Sequence, residues 1–204
     1  MRKELLVATH NRGKVREFAE MLADLELGWL GLDEVGVTED VEETAVTFRG
    51  NALLKATAYA QMTGRLTLAD DSGLEVDALN GEPGVYSARY GGPGLTAVER
   101  YQLLLQKLAD VPEAERTARF RCVIVLVAAN GRLLAEADGT CEGRIAFAPS
   151  GDGGFGYAPV FYMPEQGKTM AEMGRDKHLV SHRGRAMRLL EPQLRQLLAA
   201  EGEI

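Results

Sequence analysis

Three short polar blocks in this chain carry residue types able to handle a polyphosphate and a divalent cation. The first, Thr9-His10-Asn11-Arg12-Gly13-Lys14, lies between a short apolar run and a helical pattern. A polar turn so placed presents backbone N–H groups at a helix N-terminus, where unpaired donors and the helix dipole both favour an anion. Gly13 permits close backbone approach and Lys14 adds a compact cation. An ordinary helix cap would draw on the same Thr and Asn. The second block is Asp70-Asp71-Ser72-Gly73, at the end of a short strand. Adjacent carboxylates repel and require a cation or strong donors. Mg²⁺ suits them, because it takes oxygen ligands and commonly uses one or two carboxylates plus substrate phosphates. Glu42-Glu43 could supply a further carboxylate, and a solvated acidic turn is the alternative. The third block, Ser181-His182-Arg183-Gly184 with Lys177 upstream, crowds cations at the start of a helix. That opposes the macrodipole and is easier to understand with an anion bound there, although Ser as N-cap before a surface Arg would look the same.

The elements that must position these blocks follow from hydrophobic period. Leu5 to Thr9 predicts a strand, and Val15, Phe18, Leu22 and Leu25 predict a helix after it. A second helix is expected from about Ala45 to Met62, with Phe48, Ala52, Ala56 and Tyr59 inward and Gly64 as its stop. Leu66 to Ala69 reads as a strand, and Val98, Tyr101, Leu105 and Leu108 as the face of a third helix. Ala118 to Ala129 and Leu133 to Phe147 form a long hairpin around a two-residue Asn130-Gly131 turn. A Gly-rich loop, Ser150 to Gly156, precedes a strand at Val160-Phe161-Tyr162. The last helix starts near Ser181 and buries Met187, Leu190, Leu194 and Leu197, with Pro192 predicted to kink or split it. Interleaved strands and helices plus one antiparallel hairpin predict an α/β fold with a mixed sheet flanked by helices. No repeat or linker is visible, so residues 1–204 read as a single domain.

Composition narrows the function. A formal net charge of −7 argues against binding duplex nucleic acid, which relies on broad basic surfaces. Arg outnumbers Lys 17 to 6, yet Lys14, Lys55, Lys168 and Lys177 fall in or beside the polar, Gly-rich blocks, where a point charge suits phosphate. The start of the chain has too short an apolar run for a signal peptide, and Cys122 to Ala129 is far below a membrane span. Cys122 and Cys141 are expected as free thiols in a reducing cytoplasm.

Other chemistries find no support. Gly151-Asp152-Gly153-Gly154-Phe155-Gly156 matches G-x-G-x-x-G, but that fingerprint must open a helix and Tyr157-Ala158-Pro159 cannot. Gly167-Lys168-Thr169 lacks the earlier P-loop Gly, where Tyr162 stands. His10, His178 and His182 show no metal-ligand spacing with the cysteines, and no G-x-S-x-G motif occurs.

Taken in order, the blocks resemble the inosine triphosphate pyrophosphatase (dITP/XTP pyrophosphatase) family. The likeness rests on Ala8 to Lys14, Glu42-Glu43-Thr44 with Phe48 and Asn51-Ala52, and Ala69-Asp70-Asp71-Ser72-Gly73-Leu74. It continues through Gly84 to Tyr90, Gly153 to Tyr157, and Lys177 with Ser181-His182-Arg183-Gly184. The resemblance implies an elongated mixed sheet with two lobes around a central active-site cleft, and a homodimer. It implies Mg²⁺-dependent hydrolysis of ITP, dITP and XTP to the monophosphate and pyrophosphate. Glu43 and Asp71 would hold the metal, with Asp71 as proton acceptor. Thr9, His10, Asn11, Arg12, Gly13 and Lys14 would bind phosphates, and Ser72 would touch substrate. Phe155, Gly156, Tyr157, Ala158, Lys177, His182 and Arg183 would surround the nucleoside and its phosphates, Phe155 offering a face to the purine.

Two positions depart from the family pattern. His10 stands where Gly is usual, and Ala158 where Asp is usual. The loss of a carboxylate at Ala158 leaves a second expectation open, a nucleotide-binding protein with impaired turnover. A related pyrophosphatase of the septum-inhibitor type would open with a Ser-rich Ala-Ser-x-Ser-Pro-Arg-Arg block, which this chain lacks.

Overall fold

Leu5, Leu6 and Val7 are buried in strand β1 (Lys3–Val7), which pairs in parallel with a strand on either side. A computed structural model describes residues 3–154 and 156–200, and of residues 175–178 the main chain alone. The further strands are β2 (Leu27–Leu30), β3 (Thr67–Val76), β4 (Thr117–Val127), β5 (Leu133–Ile145), β6 (Phe161–Met163) and β7 (Lys168–Thr169). They form one mixed sheet in the order β2-β1-β3-β4-β5-β6-β7, as the antiparallel hairpin among interleaved helices requires. Register sets Leu5 beside Trp29 and Leu6 beside Thr67, while Arg144 faces Tyr162 antiparallel. The helices are α1 (Arg12–Met21), α2 (Phe48–Thr63), α3 (Ala97–Lys107), α4 (Lys177–Val180) and α5 (His182–Ala199). No helix among the described residues is long and apolar enough to cross a membrane.

The chain divides into two compact units, the first comprising Met1–Asp71, Cys122–Gly139 and Arg183–Ile204. Its core packs Leu5 and Val7 with Phe18 and Leu22, Leu68, Cys122 and Ile124, and Met187 and Leu190. The second unit, Ser72–Arg121 and Thr140–His182, centres on Leu74, Val76, Leu104, Leu108, Phe120, Cys141 and Phe161. Both cysteines are buried and free.

Several sequence expectations shift. Strand β2, Leu-Gly-Trp-Leu, was not foreseen because four residues interrupted by Gly show no period. Helix α2 starts at Phe48 rather than Ala45, since Thr47 is the N-cap and its hydroxyl accepts from Gly50 N–H. Strand β3 runs on through Asp70, Asp71, Ser72 and Gly73, so this block is mid-strand and not a strand end or a turn. Leu104 on α3 and Leu108 at its C-cap are fully buried, while Val98, in the first turn, is 47% exposed. The hairpin loop is longer than the expected two residues. Ala128 N–H donates to Arg132 O at 2.9 Å across residues 129–131, and Gly131 takes φ +87°. Pro192 does not split α5. Pro192 and Arg188, whose carbonyl loses its i+4 donor, are both exposed, so water can serve the freed carbonyl.

One buried cation secures the second unit. Arg116 donates to Ile145 O at 2.9 Å, Leu108 O at 2.8 Å and Ala146 O at 3.1 Å, tying the end of α3 to the end of β5. Replacing Arg116 with Leu leaves those carbonyls without their donor and is expected to destabilise the protein by about 2–4 kcal/mol. Arg116→Lys should recover only part of this, because one ammonium cannot span three acceptors. Denaturant unfolding of both variants measures the difference.

Candidate active site

Asp70 and Asp71 are consecutive residues of β3, so their side chains leave the sheet on opposite faces and enter different surroundings. Asp70 receives Lys14 Nζ from α1 at 2.9 and 3.1 Å, and Arg183 Nη2 from α5 at 3.1 Å. Arg183 spends its Nη1 on Glu17, also 3.1 Å away. Both Asp70 and Arg183 are buried. Burial alone would raise the Asp70 pKa, but Lys14, Arg183 and Lys55 together hold it well below the usual carboxylate range. Asp70 is therefore a permanent anion with a fixed counter-charge.

Asp71 meets α2 instead. Asn51 Nδ2 donates to its Oδ2 at 3.1 Å, and Asn51 is wholly buried. One turn further along the helix, Lys55 Nζ donates to Glu43 Oε1 at 2.7 Å and to the Asp70 carbonyl at 2.8 Å. Burial pushes the Asp71 pKa up to about 6, opposed by the Lys55 charge and reinforced by that of Glu43. The same three acids, Asp70, Asp71 and Glu43, outweigh the desolvation of Lys55 and raise its pKa. Glu43 and Asp71 thus lie within electrostatic reach of each other. Two carboxylates so placed are oxygen donors of the kind Mg²⁺ takes, one or two at a time beside substrate phosphates. Among the described residues no group of three or more His, Cys, Asp or Glu side chains is arranged to hold a metal ion by itself.

The turn before α1 is built as its sequence suggested, and the cap reading of Asn11 holds. Asn11 Oδ1 accepts from Gly13 N–H at 2.8 Å and from Lys14 N–H at 3.3 Å, and Thr9 Oγ1 accepts from Asn11 N–H. His10 pairs with Asp33, Nδ1 to Oδ1 at 2.6 Å, while Arg12 is exposed with its Nε 4.0 Å from the same carboxylate. His10 and Arg12 line a cavity of about 430 Å³ with Trp29 and Asp33, whereas Lys14 alone of the block is bonded to Asp70.

The remaining candidates belong to the second unit except Arg183. Ser72 follows Asp71 on β3, and Gly156 sits at φ +62°. Tyr157 and Ala158 are core residues at 4% exposure each, and the Tyr157 hydroxyl donates to Ser87 O at 2.9 Å. The His182 ring stacks on Phe120 with centroids 4.9 Å apart. Phe155 and the side chain of Lys177 lie outside the described residues.

Sequence reasoning gave no role to Asn51 or Glu17, and Lys55 only a general one as a phosphate-side lysine. The signal was present: Asn51 and Lys55 are four apart on α2, and Lys14 and Glu17 three apart on α1, the spacings that share a helix face.

Comparison with known proteins sets this geometry in context. Residues 5–193 match the model of the Ham1 family. A dITP/XTP pyrophosphatase of Geobacillus kaustophilus (strain HTA426) is 47% identical over 201 residues, covering 98% of each chain. One from Escherichia coli O157:H7 is 47% identical over 195 residues, 95% of this chain and 98% of that one. Among solved structures, a HAM1 protein from Coxiella burnetii superposes with TM-score 0.89 at 41% identity, covering 95% of this chain and 99% of that chain. The Staphylococcus aureus Ham1 protein gives TM-score 0.87 at 41% identity, over 96% and 100%.

The two acids should respond oppositely to neutralisation in metal-free protein. Asp70 has a depressed pKa, so its contribution to stability is full above pH 3.8 and is lost as pH falls through the folded value. Asp70→Asn strips Arg183 and Lys14 of their partner and should cost about 3–5 kcal/mol at pH 7. Asp71 is raised from 3.8 to about 6, so the folded state binds the extra proton and stability falls as pH rises across that window. Asp71→Asn should then stabilise by roughly 1–3 kcal/mol at pH 8, with the gain vanishing below about pH 4. Thermal unfolding in EDTA across pH 3–8 checks both signs.

Proposed function

The chain belongs to the Ham1 family, and from that footing we propose that it hydrolyses deaminated purine nucleoside triphosphates, ITP, dITP and XTP, to the monophosphate and pyrophosphate. The observation that carries the proposal is the pair of adjacent carboxylates on β3 with opposite electrostatics. Asp70 is locked to Lys14 and Arg183, and Asp71 is buried within electrostatic reach of Glu43. The naming of the relatives as pyrophosphatases over nearly their full length supports turnover, and does not favour a binding protein disabled at Ala158.

The residues fit the reaction. Water adds to the α-phosphorus, the bond to the β-phosphate oxygen breaks, and pyrophosphate departs with that electron pair. Asp71 accepts the proton of the attacking water, as a carboxylate placed beside the reacting group can. Glu43 and Asp71 would hold Mg²⁺, which neutralises triphosphate charge and polarises the phosphoryl group when bound. Lys55 fixes Glu43 and offsets the negative charge gathered there. Lys14 supplies a cation for the phosphates, with Thr9, His10, Asn11, Arg12 and Gly13 contributing the rest of the turn. Phe155, Gly156, Tyr157, Ala158, Lys177, His182 and Arg183 are assigned to the nucleoside and its phosphates on the resemblance, and Ser72 to a substrate contact. Selectivity against ATP falls on hydrogen bonds to the 6-oxo edge, since a site built to bond one edge rejects its mismatch by leaving polar groups unpaired. We further propose that the whole chain works as one pyrophosphatase domain, as a homodimer, in the cytoplasm. The free, buried thiols are consistent with a reducing compartment.

A panel of nucleoside triphosphates scored for product tests the function. ITP, dITP and XTP should yield monophosphate and pyrophosphate with Mg²⁺, little with EDTA, and ATP should be a poor substrate. Release of single phosphate, or equal turnover of ATP, would overturn the proposal. Asp71→Asn should lower kcat by about 10²–10⁴-fold. Ala158 is a core residue, so Ala158→Asp should lower Tm, a buried carboxylate being costly unless paired. If it also leaves kcat/KM for ITP and rejection of GTP unchanged, the departure at this position carries no function.

A further inference from the structure

Besides Lys55, helix α2 meets the carboxylates through a residue with no charge. Asn51 is wholly buried in its first turns, and both ends of its amide are committed. Nδ2 donates to Asp71 Oδ2 at 3.1 Å, and Oδ1 accepts from the backbone N–H of Ala45 at 2.9 Å. Ala45 lies two residues after Glu43. The two carboxylates come within electrostatic reach of each other from positions 28 residues apart, and one planar amide bonds the segment of one and the side chain of the other.

A neighbouring feature holds the same segment independently. A side chain at Gly50 would place its Cβ 2.6 Å from the Ala45 Cβ and 3.0 Å from Thr47 Oγ1. Glycine there lets the Glu43–Thr47 segment lie flush on the first turn of α2, close enough for Asn51 to reach Ala45 N–H. The segment therefore has one steric and one polar tie to the helix, and the polar tie continues to Asp71.

We propose that Asn51 is a positioning residue for the pyrophosphatase reaction, setting the separation of Glu43 and Asp71 and therefore their joint affinity for a divalent cation. The inference rests on the proposed function. It assigns to Asn51 no contact with substrate and no proton. The amide is suited to the task because it is a donor at one end and an acceptor at the other in a rigid plane, and neither property changes with pH. A carboxylate in its place could still accept from Ala45 but would repel Asp71.

The experiment separates the two ends of the amide. Asn51→Asp keeps the shape and the Ala45 bond and loses the donor to Asp71; Asn51→Ala loses both. Gly50→Ala keeps the Asn51 side chain and displaces chiefly Ala45, with Thr47 Oγ1 the next atom met. Mn²⁺ binding to nucleotide-free protein, followed by electron paramagnetic resonance, should weaken about tenfold or more in all three, without reference to activity. For ITP, kcat should fall at least tenfold while KM stays within about threefold of the parent. Amide exchange at Ala45 should accelerate in Asn51→Ala but not in Asn51→Asp. Should Asn51→Ala not fold, Asn51→Asp and Gly50→Ala carry the same readouts. Folded variants with parental Mn²⁺ affinity and kcat would overturn the inference, as would a loss confined to KM. A parent protein that binds Mn²⁺ but releases no pyrophosphate from ITP would instead overturn the proposed function.

Discussion

Two consecutive carboxylates buried on one strand are the constraint around which the first unit is organised. An unpaired buried carboxylate is costly enough that it normally takes up a proton instead. At Asp70 that outcome is blocked by direct bonds from Lys14 and Arg183. At Asp71 burial prevails and raises the pKa to about 6, although the Lys55 charge opposes it. The pair is thereby split into one acid held ionised and one whose pKa is raised.

The ionised acid explains why three distant elements meet. Lys14 is in the first turn of α1, Arg183 in the first turn of α5, and Asp70 in the middle of β3. Arg183 at the start of a helix is unfavourable toward the macrodipole. Glu17 and Asp70, on either side of its guanidinium, supply a compensation that needs no bound ligand. The crowding of cations at this helix start, which the sequence offers as a sign of an anion site, is met at Arg183 by the protein's own carboxylates.

Asp71 depends on α2 in the same way. Its polar face presents Asn51 and Lys55 to β3 while Phe48, Ala52, Ala56 and Tyr59 are buried. A helix with both kinds of residue buried has little amphipathic character by hydrophobicity alone. That is why its core face was legible but its polar contacts were not. In the second unit, the stretch beginning at Gly156 shows the converse: Tyr157 and Ala158 read as ligand-facing neighbours of a Gly-rich loop, yet both are packed in a hydrophobic core. The departure at Ala158 is consistent with that apolar setting.

The sequence by itself determined the α/β class, the hairpin, most helices and the family resemblance. Those follow from period, turn residues and the order of short blocks, all of which are local along the chain. Positions failed where local signals are weak or shared: four-residue β2, the strand that runs on through Asp70 to Gly73, and the one-residue difference in the hairpin loop. Only the tertiary structure decided which of two adjacent aspartates is held ionised by direct bonds, and that Asn51 joins Ala45 to Asp71. Charge balance and burial are properties of side chains gathered from α1, α2, α5 and β3, and no spacing along the chain encodes how those four elements meet.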